Sequence, residues 1–313
     1  MTKLPLVSVL MPAFNAEKFI AEAIDSIIGQ SHQHWELLIL DDASTDGTLA
    51  IIESYSDTRI KVLRNETNQG YLLSCNRLFS EAQGDFITFQ DADDTCDSER
   101  LAICIDQFTI QPEIDFLTTD HARIDSSGQV LDERSTDVDY QRYCSDHSYT
   151  PTICCATIFA RHSILNKVGG YHPFFKNLGG EDYHWLWNLS RTGKGIHLQQ
   201  TLYNYRQHAG QVHLTNPDKL KHFVTDIISE IRRDGMSNKA LSEKAEEVER
   251  KWKEHLQANP GLLKLRLATE ALNSRQYSRF MDHWMAALFS RPASISKFRQ
   301  CAYLLYSYIA RIA

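Results

Sequence analysis

Four carboxylates fall within seven residues of the stretch FITFQDADDTCD (86–97): Asp91, Asp93, Asp94 and Asp97. Like charges so close repel, and the arrangement persists where the groups share a proton or hold a cation. Asp91 and Asp93 stand two apart at the end of an apolar run, so an extended backbone turns both side chains the same way. Hard oxygen donors of this kind suit Mg²⁺ or Mn²⁺, which take one or two carboxylates and complete their shell with substrate phosphates. The plain alternative is a solvated loop whose aspartates cap the next helix. Two more acidic pairs occupy comparable places. Asp41 and Asp42 open DDASTD (41–46), and Glu181 and Asp182 stand at a predicted helix start, where the helix dipole favours anions. His208, in YRQHAG (205–210), is a candidate third metal ligand, with His213 a weaker one; a surface histidine is the alternative. Tyr183, Trp185 and Trp187 either stack on a sugar or, at helical spacing, belong to the core.

The elements that must position these groups follow from periodicity. VSVLM (7–11) reads as a buried strand closed by Pro12, and residues 16–30 as a helix with Asn15 as N-cap. WELLIL (35–40) is a second strand, and Ser44 caps a second helix running to about Tyr55. IKVLR (60–64) is a third strand, 70–82 a third helix and FITF (86–89) a fourth strand. This alternation predicts βαβ units in a mainly parallel sheet. Ligands of such sheets sit beyond the carboxyl ends of the strands, where PAFN, DDASTD and QDADD all fall. Beyond Ser98 come a helix to about Ile110, a strand DFLTT, a hairpin around Ser126–Gly128, a polar loop over 134–150, a short helix from Glu181 and a strand LYNYR (202–206). Helices are predicted from about Lys219 onward, broken near NPG (259–261) and RPAS (291–294).

At 313 residues the chain can bury one large core or two modest ones. Residues 1–225 carry 30 acidic and 18 basic side chains, whereas 226–313 carry 10 and 15. The acidic body argues against nucleic acid as a partner, and the basic tail suits an anionic surface. Seven scattered cysteines without a C-x-x-C pair read as reduced thiols. Neither a signal peptide nor an 18-residue apolar span is apparent, so a cytoplasmic protein is expected, peripheral on the inner face of the plasma membrane if its tail binds lipid. Ile295, Phe298, Ala302, Leu305, Ile309 and Ile312 mark an amphipathic helix over 295–312. With Lys297, Arg299 and Arg311 it either lies on an anionic membrane through 290–313 or packs on the catalytic domain or on a second copy in a homodimer.

Five ordered pieces carry a resemblance: VSVLMPAFNAEKFIAEAIDSIIGQ, WELLILDDASTDGT, NQGYLLSCNRLFSEAQGDFITFQDADD, GGEDYHWLWNLSRTGKG and YNYRQHAG. Together they resemble the family 2 inverting glycosyltransferases of GT-A fold, over about 210 residues. The resemblance implies an α/β GT-A (Rossmann-like) catalytic domain over 1–225, with a C-terminal helical region over 226–313. It implies a nucleotide-sugar donor, UDP-linked in particular, Mn²⁺ or Mg²⁺ as cofactor, and a glycan or lipid-linked glycan acceptor in cell-surface polysaccharide biosynthesis. By the same resemblance Pro12, Ala13, Phe14 and Asn15 wall the nucleotide with Glu17 nearby, and Asp42 accepts from a uracil imide. Asp91 touches the ribose, Asn68, Asn76, Arg77 and Ala92 join the nucleotide set, and Asp93 binds the metal. Asp182 is the implied general base. Cys75 stands where relatives often carry arginine, which leaves a positive nucleotide contact missing or supplied by Arg77. Leu186 and Asn188 likewise depart from the usual Trp and Arg, and bear on acceptor contacts. A sugar-phosphate nucleotidyltransferase is disfavoured because PAFNAEKFI lacks glycine. A non-catalytic scaffold is disfavoured by the intact Asp42, Asp91, Asp93 and Asp182.

Overall fold

The computed structural model describes residues 4–176, 179–208, 228–235, 241, 281–282 and 284–285. The chain divides into two compact units, Met1–Gln207 and His208–Ala313. In the second unit residues 228–233 are helical. The other helices predicted beyond 219, the amphipathic helix 295–312 and His213 lie outside the described residues.

The apolar runs of the N-terminal third become strands β1 (Val7–Ala13), β2 (Trp35–Asp41), β3 (Ile60–Arg64) and β4 (Phe86–Phe89), paired in parallel in the order β3-β2-β1-β4. Every residue of β1, β2 and β4 is buried, as a strand covered on both faces requires. β1 runs through Pro12 instead of stopping there. Its pairing with β4 ends at Leu10 opposite Phe89, so a residue without an N–H is accommodated beyond that point.

Helix α1 (Ile20–Ile28) buries Ile20, Ala23, Ile24 and Ile27, the predicted face. Asn15 is not its cap. Residues 16–19 form a separate turn, closed by Phe19 N donating to Ala16 O at 3.0 Å, and Asn15 sits in the left-handed region at φ 52°. Ser44 does not cap α2 (Thr48–Glu53) either; Asp46 Oδ1 accepts from Thr48 N at 3.0 Å, while Ser44 Oγ accepts from Asn15 N at 3.0 Å. Both polar side chains bind loop to loop, which local capping rules do not foresee. Helix α3 (Tyr71–Glu81) follows β3.

The second half contains β5 (Thr95–Cys96), α4 (Arg100–Ile110), β6 (Phe116–Ile124), β7 (Val130–Arg134), α5 (Tyr140–Ser145), a 3-10 turn (Cys155–Thr157), β8 (Phe159–Arg161), α6 (His162–Val168), a second such turn (Pro173–Phe175), α7 (Glu181–Thr192) and β9 (Gly195–Arg206). The sheet continues β4-β8-β6-β9-β5, with β7 on β6. β8 is antiparallel to β4 and β6, β9 parallel to β6, and β5 antiparallel to β9. The sheet is therefore mixed past β4. The predicted hairpin is present, closed by Asp125 N donating to Gln129 O at 2.9 Å. The polar stretch 134–150 is not a mere loop: Asp139 Oδ1 caps α5 by accepting from Arg142 N at 2.9 Å, and Tyr140 and Tyr143 are buried. Two aromatic anchors are too few to show as periodicity. Helix α7 is twelve residues, longer than predicted, and places Trp185 and Trp187 in the core.

Candidate active site

The loops after β1 and β2 are tied to each other. Asp42 N donates to Ala13 O at 2.8 Å, Ala16 N to Thr48 Oγ1 at 2.7 Å, Thr45 N to Asn15 Oδ1 at 2.8 Å and Gly47 N to Glu17 Oε2 at 2.7 Å. Pro12 and Ala13 are buried at the end of β1, whereas Phe14 is 44% exposed beside them. The buried Asp42 carboxylate gathers a third loop. Its Oδ1 accepts from Asn65 Nδ2 at 2.7 Å and Gln69 N at 2.8 Å, and its Oδ2 from Gly70 N at 2.8 Å. Gly70 has φ 90°, a conformation that favours glycine, and begins α3 there. Asn68 is exposed on this loop.

Two expected nucleotide contacts are engaged elsewhere. Asn76 Nδ2 donates to Tyr171 O and Asn76 Oδ1 accepts from Tyr171 N, each at 2.7 Å, so its amide braces α3 against the segment before α7. Arg77 Nη1 donates to Arg64 O at 2.6 Å and Asn65 Oδ1 at 2.7 Å, steadying the residue that itself binds Asp42.

Beyond β4 the chain turns at once, with Asp94 N donating to Asp91 O at 3.2 Å. Asp91 and Asp93 are therefore brought together by a turn and not by strand alternation. Asp91 Oδ1 accepts from the Tyr71 hydroxyl at 3.2 Å, and Asp91 N donates to the Tyr203 hydroxyl at 3.1 Å. Burial first, then the Asp93 charge, pushes Asp91 up to about 7. Asp94 is fully buried and is likewise pushed well above the usual range by burial, then by Asp93 and Asp91; its Oδ1 accepts from Arg206 N at 2.7 Å. Ala92 is buried within the turn.

Two buried guanidinium groups support this acidic turn, and the sequence reading assigned neither. Arg100 Nη1 donates to Phe89 O at 3.1 Å, and Nη2 donates to Thr88 Oγ1 at 2.7 Å and Ala156 O at 3.0 Å. Arg206 Nε donates to Asp93 O at 2.7 Å and Nη2 to Glu22 Oε2 at 2.6 Å. The available signals were Arg100 on the face shared with Leu101 and Cys104, and Arg206 at the end of an aromatic strand.

The hard oxygen donors of Asp91 and Asp93 fit a divalent cation whose charge relieves their repulsion. Among the described residues no three His, Cys, Asp or Glu side chains form a ready-made cage, so substrate phosphates would have to complete the shell. His208 is half-buried and opens the second unit.

Helix α7 brings the other acidic pair. Gly180, in the left-handed region at φ 87°, precedes Glu181. Asp182 Oδ1 accepts from Tyr183 N at 2.7 Å. Burial raises Asp182 above the ordinary range, so desolvation outweighs the helix terminus and the hydrogen bonds that pull the other way. Glu181 is pushed up to about 7 by burial and then by Asp182. Trp185 of α7 meets Phe89 at the end of β4 edge to face at 5.9 Å, which seats α7 against the strand that leads into the acidic turn.

Residues 8–169 match the family model described as glycosyl transferase family 2. EpsE of Bacillus subtilis (strain 168) is 35% identical over 216 residues, 65% of this chain and 73% of its own. The UDP-Glc:alpha-D-GlcNAc-diphosphoundecaprenol beta-1,3-glucosyltransferase WfgD of Escherichia coli is 32% identical over 186 residues, 58% of this chain and 68% of its own. Among solved structures, S. aureus TarS 1–349 in complex with UDP-GlcNAc matches with a TM-score of 0.58 at 19% identity, over 98% of this chain and 91% of that one. The fold is GT-A.

Proposed function

This chain belongs to glycosyl transferase family 2, and from that membership we propose an inverting, metal-dependent transfer from a UDP-sugar to a hydroxyl of a glycan or lipid-linked glycan, a step in cell-surface polysaccharide biosynthesis. The observation that carries the reading is the packing of α7, which holds Asp182 in its first turn, on the end of β4, which leads into Asp91, through the Phe89 and Trp185 rings edge to face at 5.9 Å. The two groups divide the labour of one reaction. The donor lies along the β1, β2 and β4 loops: the exposed Phe14 and the Asp42-bound loop 65–70 take the nucleoside, and Asp91 takes the ribose. Asp93 holds the cation. A divalent ion bound there supplies Lewis-acid neutralisation of charge on the departing diphosphate. Asp182 accepts the proton of the attacking hydroxyl, a task helped by a carboxylate made more basic through burial.

The UDP assignment is supported by the UDP-Glc in the name of WfgD and by the UDP-GlcNAc and UDP complexes of TarS. The lipid-linked acceptor is supported by the diphosphoundecaprenol in the name of WfgD. Among the described residues no helix is long and apolar enough to cross a membrane. Membrane contact through 290–313 rests on the basic amphipathic sequence; sedimentation with anionic vesicles, unchanged after removal of those residues, would refute it.

Calorimetric titration with UDP and Mn²⁺ tests the donor site. Asp93→Ala is expected to abolish metal-dependent UDP binding, and an unchanged isotherm would count against the metal assignment.

A further inference from the structure

Tyr71, the first residue of α3, is an aromatic side chain 42% exposed that takes no part in the steps above. Its backbone is placed by the loop that Asp42 gathers. Asp42 Oδ1 accepts from Gln69 N and Oδ2 from Gly70 N, each at 2.8 Å, and Gly70 turns the chain into the helix at φ 90°. A Cβ on Gly70 would meet nothing within 4 Å, so the glycine serves the turn and not a close approach. From this anchored start the phenol, a rigid arm, carries its hydroxyl to Asp91 Oδ1 at 3.2 Å. One side chain therefore spans from the aspartate after β2 to the aspartate after β4.

The main chain of Asp91 is held separately. Its N donates to the Tyr203 hydroxyl at 3.1 Å, and its O accepts from Asp94 N at 3.2 Å. Those bonds fix where the carboxylate is rooted and leave its side-chain torsions free. Among the described residues, the hydrogen bond from Tyr71 is what sets the direction of the carboxylate. With Oδ1 taken by the phenol, Oδ2 keeps acceptor capacity for a ligand.

We propose that Tyr71 is a positioning residue for the donor: its hydroxyl pins Oδ1 of Asp91 so that Oδ2 faces a hydroxyl of the nucleotide's ribose. The inference rests on the reading that Asp91 takes the ribose, and adds a residue to that site. No covalent bond changes in this step; the phenol keeps its proton and the ribose hydroxyl donates to Oδ2. A contact of 3.2 Å is long for O–H···O, so the effect is modest, and it falls on donor binding instead of on proton transfer at Asp182.

Calorimetric titrations of the full chain and of Tyr71→Phe, each with Mn²⁺, compare UDP with its 2′-deoxy and 3′-deoxy analogues and with inorganic pyrophosphate. In the parent, the analogue lacking the hydroxyl held by Asp91 is expected to bind about tenfold more weakly than UDP. Tyr71→Phe is expected to weaken UDP about fivefold and to leave that analogue and pyrophosphate unchanged, so that the discrimination falls from about tenfold to about twofold. A packing role alone would weaken every ligand together and preserve the discrimination. An unchanged ratio overturns the proposal, as does pyrophosphate binding lost along with UDP. Tighter UDP binding in the variant also overturns it, by making the phenol a competitor of the ribose. A parent that binds UDP but distinguishes neither deoxy analogue removes Asp91 from the ribose and this inference with it. A parent that binds no UDP sinks the donor reading itself, on which the inference stands.

Discussion

Asp91, Glu181 and Asp182 are all held above the ordinary carboxylate range, and in each burial is the largest cause. Asp182 differs in having a backbone donor, Tyr183 N, that favours its charged form. Glu181 Oε2 is buried without a hydrogen-bond partner, so its environment offers little to stabilise an anion. Two adjacent acids are thus separated in character by their partners, with Asp182 the one whose ionised, proton-accepting form is the better supported. Asp182→Asn is expected to retain UDP binding and lose transfer by about 10² to 10⁴-fold, the usual contribution of a general base. Near-normal turnover in that variant would move the base elsewhere.

The strands bring these residues near each other, but two arginines make the arrangement rigid. Arg100, from the first turn of α4, joins the end of β4 to the turn containing Cys155. Arg206, at the end of β9, ties the backbone of Asp93 to Glu22 on α1. β5 completes the seam, with Thr95 and Cys96 pairing Asn204 and Tyr203. Removing a buried guanidinium leaves several carbonyl and hydroxyl oxygens without donors. Arg100→Met is therefore expected to cost about 3 kcal/mol in urea unfolding. It should also weaken UDP binding, because Asp91 loses a cation that favours its charged form. A melting curve identical to the parent's would show that Arg100 is dispensable to the seam.

Across the first unit, the raised carboxyls give stability a definite pH dependence. Asp91 and Glu181 bind more protons folded than unfolded between the ordinary carboxylate range and about 7. Folding free energy from these groups is therefore fully present at lower pH and is lost as pH rises through about 7. Asp132 and Asp146, pulled down to about 2 by Arg123 and by Ser148 respectively, act oppositely below the ordinary carboxylate range, and both are surface groups screened by solvent. The ligand-free chain is expected to melt higher at about pH 5.5 than at about pH 7.5, with the slope reduced in the double variant Asp91→Asn, Glu181→Gln. A melting temperature that climbs over that interval would contradict the assigned burial.

The parallel half of the sheet was readable from the sequence because its information is local. Apolar runs such as WELLIL and FITF are buried on both faces, and the acidic loops follow them in register. The face of α1 was readable for the same reason. Asn15 and Ser44 were misassigned because their partners lie about thirty residues away, where short-range capping patterns have no reach. The same limit hid α5, β8 and the antiparallel seam of β5. Sequence alone therefore determined the sheet edge that carries the aspartates and the residue types available there. Only the tertiary structure decided that α7 packs on the end of β4 through Phe89 and Trp185, and that Arg100 and Arg206 brace the acidic turn. The physical reason is that protonation and orientation depend on what excludes water from a group, and those neighbours come from strands and turns distant in the chain.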